Sequence, residues 1–253
     1  MLSFKSNFPQ GRFGNVLMQN IGLSIIGKKF NLKVKYEWNS KSDLKYTLDS
    51  HLKNNFNFYT EGRVFTGKPK LFSEFSEPYI EELLSKKYIE EAVLIESFLQ
   101  KECLLYNQKE ILKSIIKKNK IKFYDQVFVH VRLGDMEKYS PGYSYYKNAL
   151  KKIKFNSGII STDSPKNKII RKLIDNFNLS LYENENFQEV ISLGSQYEYR
   201  IITGGSSGWL IGYLGENNNV YYVKNNYKRY NPFSKHIKYW PDELFKKSDW
   251  IGL

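Results

Sequence analysis

From Gln126 onward, short runs of β-branched and other apolar residues alternate with longer stretches in which apolar residues recur every three or four positions. A period near 3.6 marks a helix with one buried stripe, whereas a short unbroken apolar run bounded by turn residues marks a strand covered on both faces. The pattern predicts strands at 127–131, 158–162, 179–182, 199–203 and 220–223, separated by helices at 143–153, 166–177, 187–197 and 206–214. Strands spaced by helices in this way build βαβ units and a parallel sheet, so residues 124–235 read as a doubly wound α/β domain.

The first half of the chain is less regular. Residues 2–5 read as a strand, 7–14 as a glycine-containing loop, 16–30 as an amphipathic helix and 32–36 as a second strand, together one more βαβ nucleus. Residues 89–99 and 108–116 read as helices, while 39–86 carry scattered aromatics, Gly and Pro with no period that supports an assignment. The expected organisation is an N-terminal α/β domain at 1–123, a C-terminal Rossmann-like domain at 124–235, and a tail at 236–253 that packs back on the body. In such domains a ligand lies in the crevice beyond the carboxyl ends of the strands.

Composition narrows the picture. A chain of 253 residues with 41% hydrophobic content builds its core without staples. Cys103 is the only cysteine, which rules out an intramolecular disulfide and suits a reducing, cytoplasmic setting. The histidines His51, His130 and His236 lie far apart and share no ligand spacing, so no protein-held metal is expected. Lys5 and Arg12 sit among polar residues without an apolar leader core, and no apolar run approaches the ~20 residues of a membrane span. The net charge of +13 points to an anionic partner: nucleic acid, an anionic membrane face touched peripherally, or a phosphorylated small molecule. No helix-turn-helix, RNA-recognition or zinc-finger pattern accompanies that charge, so nucleic acid is not the expected partner. The lysine-rich stretches 113–122 and 147–154 read as solvated helix faces.

Four segments combine chemistry with a place at a strand end. His130, Val131, Arg132, Leu133, Gly134 and Asp135 end an apolar strand where the chain must turn out of the sheet. Arg132 offers a planar fork of donors matched to a diphosphate, Gly134 permits a close turn, Asp135 can orient the arginine or accept a proton, and His130 can donate to a ribose or phosphate. The same residues also suit a surface Arg–Asp pair with a core histidine. Thr203 through Trp209, with Gly205, Ser206 and Ser207 at a helix start, supply the N–H groups and hydroxyls of an anion site, or simply a capped turn. Thr162 and Asp163 again follow a strand and precede a helix, where Asp163 can cap the helix or act on a ligand hydroxyl. In the first half, Gly11, Arg12, Gly14 and Asn15 lie between strand and helix without forming a dinucleotide or ATP loop.

Taken in order, these segments resemble the α-1,2-fucosyltransferases. That family's GxxGNQxxQ loop is matched by Gly11 to Gln19 with Val16 in place of Gln, and its HxRxGD motif is complete from His130 to Asp135. The stretches 96–101 and 145–150 look like its Gly-Tyr-Phe-Gln-Ser step and the helix after HxRxGD, and Thr162-Asp163 matches the start of its Ser-Asp-Asp step. Gly204 to Leu210 keeps one Ser and one Trp of the late Asn-Ser-Ser-x-Ser-Trp-Trp block, and Asp249-Trp250-Ile251 resembles the closing segment. The Gly-Arg-Phe-Gly-Asn wording is also similar to protein O-fucosyltransferases of the same superfamily. The resemblance implies a GT-B architecture of two facing Rossmann-like domains and GDP-fucose as donor. It further implies a glycan acceptor, inversion at the anomeric carbon and no essential metal or other cofactor. In that picture Arg132 neutralises the leaving phosphate, while His130, Gly134 and Asp135 shape the nucleotide pocket. Thr162, Asp163, Gly205, Ser206 and Ser207 line the donor, Gly11, Arg12, Gly14 and Asn15 close it from the other domain, and Asp135 and Asp163 are the candidates for the base.

Overall fold

The computed structural model of the chain describes residues 1–6, 8–39, 45–75, 79–134, 137, 140–183, 186–224, 245 and 249–253. It divides into two units, Met1–Lys117 and Lys118–Leu253. In the first, β1 (Leu2–Phe4) leads to α1 (Phe13–Phe30), β2 (Lys70–Ser73), α2 (Ile80–Ser85), β3 (Val93–Glu96), α3 (Glu102–Leu105) and α4 (Lys109–Ile115). The three strands run parallel in the order β1-β3-β2.

Three expectations for this half are corrected. Residues 89–99 do not form a helix: the apolar stretch at their centre is the buried strand β3, and the chain turns away at Leu99, whose φ is 54°. A run this short is compatible with either state, and pairing with both neighbours decides for the strand. Residues 32–36 contribute only isolated parallel bridges, Leu2 with Val34 and Leu32 with Arg63. The helix α1 is not amphipathic, because Gln19, Asn20 and Ser24 are as buried as its isoleucines. Each of these polar side chains has a main-chain partner: Gln19 bonds the Gln10 backbone, Asn20 donates to the Glu37 carbonyl and Ser24 accepts from Tyr59 N–H. Burial of polar side chains is tolerated when such bonds replace water.

The second unit follows the predicted alternation closely. β4 (Phe123–Val131), α5 (Tyr143–Lys151), β5 (Ser157–Thr162), α6 (Lys168–Asn176), β6 (Leu179–Leu181), α7 (Phe187–Gly194), β7 (Tyr197–Ile202), α8 (Ser206–Leu214), β8 (Val220–Tyr222) and β9 (Ile251–Gly252) succeed one another. All pairs are parallel and the order is β6-β5-β4-β7-β8-β9. Counted within the unit this is 3-2-1-4-5-6, the order of a doubly wound Rossmann-like sheet, whose direction of winding reverses between β4 and β7. The residues 251–253 at the chain end join this sheet's edge through β9, and most of the expected tail, like Asp135, lies outside the described residues.

Alternation along β4 serves both faces. Val127, Val129 and Val131 pack under α5 and α6 with Tyr146, Leu150, Ile170 and Leu173. Phe128 faces the other way, against Gly194 of α7, and His130 lies near the Phe187 ring at the start of the same helix. A strand covered on both faces must be apolar along its length, which explains the unbroken run that marks it in the sequence. At the opposite end of the sheet, Arg200 of β7 is fully buried and donates to the carbonyls of Ser195 and Asn217, just beyond the C-termini of α7 and α8, and to the Asn217 side chain. Gly215 leaves the space its guanidinium occupies. Burial lowers the arginine's pKa to about 10, opposed by Glu216, so it stays charged at neutral pH.

Candidate functional site

The winding reversal places the carboxyl ends of β4 and β7 side by side, and the sequence equips both. Beyond the last paired residues, His130 with Ile202, Thr203 continues the connection. Its hydroxyl donates to the His130 carbonyl and accepts from Arg132 N–H, each at 3.2 Å. On the other flank, the register pairs Val131 with Thr162, so the next residues, Arg132 and Asp163, emerge together. Asp163 Oδ1 accepts from Leu133 N–H at 2.9 Å and Oδ2 meets Arg132 Nη1 at 2.5 Å. Ser164 Oγ accepts from Gly134 N–H at 3.1 Å. A Cβ on Gly134 would stand 2.6 Å from Asp163 Oδ2, so glycine there lets the carboxylate reach the arginine.

His130 is 4% exposed, and its Nδ1 has no hydrogen-bond partner among the described residues. Burial, and secondarily the charge of Arg132, pull its pKa down to about 4 from 6.5, with Asp163 opposing. The imidazole is therefore neutral at physiological pH. Because the folded-state pKa is depressed, its contribution to stability is complete above about pH 6.5 and is lost as the pH falls towards 4. Each pH unit across that window removes up to roughly 1.4 kcal/mol. A His130→Phe variant is expected to show a flatter dependence of melting temperature on pH between 6.5 and 4 than the parent chain, and parallel curves would contradict the assignment.

These side chains line a cavity of about 600 Å³, within the ~300–1,000 Å³ of small-molecule sites. His130, Arg132, Thr162, Asp163 and Glu183 supply its polar lining, and Leu181, Tyr182, Phe187 and Val190 supply aromatic and aliphatic surface. The aromatic and aliphatic part of the lining was not foreseen in the sequence. Its signal was positional only: it follows the third predicted strand at the same sheet edge, but carries no glycine or basic motif. The lining thus combines the Arg132–Asp163 pair, the neutral His130, a second carboxylate at Glu183, and aromatic and aliphatic side chains.

The other predicted residues are placed as follows. Gly205, with φ of 106°, precedes α8, and Ser206 and Ser207 form its first turn, next to Thr203 but outside the lining of the 600 Å³ cavity. Gly208 fits α8 against the Thr203 carbonyl, where a Cβ has no room. Gly11, Arg12, Gly14 and Asn15 belong to the first unit, at the start of α1. There Gly11 adopts φ of 90° against the Asn15 side chain. Gln19 Nε2 bonds the carbonyls of Gln10 and Asn15 at 2.7 and 3.0 Å, and Gln100 donates to Asn15 Oδ1 at 3.2 Å. Within that unit the loop has a structural explanation, closed by the glutamine at its end. Among the described residues no group of three or more His, Cys, Asp or Glu side chains is arranged to hold a metal ion, and no helix is long and apolar enough to cross a membrane. No protein-family model matches the chain, and no curated protein matches it either.

Proposed function

We propose that the chain is a nucleotide-sugar glycosyltransferase of the fucosyltransferase type, with GDP-fucose as donor, a glycan hydroxyl as acceptor and the two units in a GT-B arrangement. The observation that carries the reading is Arg132, held from both flanking strands at the rim of a ligand-sized cavity beside the winding reversal of a Rossmann-like sheet. A nucleoside diphosphate suits that set of lining groups. Its anionic end meets the guanidinium, its ribose meets the neutral imidazole, and its base meets the face of Phe187 and Val190.

In this reading the acceptor hydroxyl attacks the anomeric carbon opposite the diphosphate, and negative charge grows on the departing GDP. A guanidinium already fixed in place stabilises that charge without reorganising. Asp163 has one oxygen on Leu133 N–H and the other on Arg132, so it belongs to the donor site rather than serving as the base. Such an enzyme would work in the cytoplasm, on glycans assembled there.

A thermal-shift panel tests the donor class. A ligand that binds only the folded chain, at a hundred times its Kd, adds about 2.7 kcal/mol of stability, which corresponds to several degrees for a protein of this size. GDP and GDP-fucose are expected to raise the melting temperature by that amount, with UDP-sugars and ADP leaving it unchanged. A response to uridine nucleotides alone would move the reading to a different donor, and no response to any nucleotide would overturn it.

A further inference from the structure

The carboxylate of Asp163 stands at 2.5 Å from the cation that the donor site depends on, and both side chains line the cavity. Its other oxygen is anchored by Leu133 N–H at 2.9 Å, so the carboxylate cannot swing away with a ligand-bound guanidinium. Gly134 keeps the space beside it open, and Ser164 ties the same two loops together without adding charge. An anion arriving at Arg132 therefore meets a fixed negative charge within a few ångströms, in a partly desolvated place where such charges are weakly screened.

Building on the nucleotide reading above, we propose that Asp163 is a resident counter-anion of the phosphate subsite. It occupies one edge of the Arg132 fork and competes with the diphosphate. The competition weakens the grip on GDP, the product that must leave after sugar transfer, while the fork keeps its orientation between turnovers. A carboxylate that served only to orient Arg132 would have the opposite effect on affinity, since removing its charge would loosen the guanidinium and weaken GDP binding. The sign of the change distinguishes the two roles.

Asp163→Asn keeps the size of the side chain and an acceptor for Leu133 N–H while removing the charge. Calorimetric titration of the full chain with GDP, and separately with inorganic pyrophosphate, is expected to show at least tenfold tighter binding by the variant for both probes. Product inhibition by GDP should set in at correspondingly lower concentration. Ser164→Ala, which removes the Gly134 contact and no charge, should bind both probes as the parent does. Asp163→Ser provides a second uncharged variant should the asparagine form fold poorly, with the same tightening expected. Unchanged or weaker binding in a folded uncharged variant overturns the proposal while leaving the donor site in place. Failure of the parent chain to bind either probe removes the donor reading, and this inference with it.

Discussion

Arg132→Ala is expected to lower the rate of sugar transfer by about a thousandfold, in line with the loss of a fixed donor aimed at developing negative charge. GDP binding should weaken by about ten- to a hundredfold, the effect of losing hydrogen bonds to a charged group. The fold should survive. The Arg132 side chain is 22% exposed and Asp163 26% exposed, so water can solvate the carboxylate that loses its partner. Arg132→Lys keeps the charge and loses the planar fork, so it should recover only part of the binding. A transfer assay with each variant, paired with a melting curve, checks both statements. Turnover near that of the parent in Arg132→Ala would remove the mechanism.

The largest effect on stability is expected at the far end of the same sheet. Arg200→Leu strands the buried carbonyl of Ser195 and the part-buried carbonyl of Asn217, while the Asn217 side chain keeps only its bond from Asn219 N–H. Buried polar groups left unpaired cost about 1–3 kcal/mol each, so the variant should lose about 3–5 kcal/mol, a large part of the ~5–15 kcal/mol available to a typical domain. Urea denaturation reads this directly, and a midpoint within error of the parent would show that the guanidinium is dispensable. This second buried arginine also shows why a basic residue on a strand is no guide to function by itself: Arg200 serves two helix ends, while Arg132 opens on a cavity.

The second unit was legible because most of its sequence obeys one rule. Strands covered on both faces read as unbroken apolar runs, and α5, α6 and α7 keep the 3.6 period. The helix Ser206–Leu214 is buried on nearly all sides, yet falls where the sequence reading places it. The first unit obeys it less well. Gln19, Asn20 and Ser24 look like a polar stripe but are buried by main-chain partners that only the fold supplies. The run inside β3 is too short to declare its state without its neighbours.

Residue type and strand-end position singled out Arg132, His130 and Asp163, and the structure places all three in the lining of one cavity. Their mutual contacts depend on register, since pairing Val131 with Thr162 is what sets the arginine beside the aspartate. The wall of Tyr182 and Phe187 escaped notice because an aromatic residue after a strand looks the same whether it fills a core or faces a ligand. That His130 Nδ1 meets no partner among the described residues is likewise a property of packing.

The decisive measurement is a structure of the chain crystallised with GDP. The diphosphate should lie within hydrogen-bond distance of the Arg132 guanidinium, the ribose towards His130 and the base against Phe187. GDP bound elsewhere, with Arg132 still closed on Asp163 and the cavity holding solvent alone, would contradict that placement.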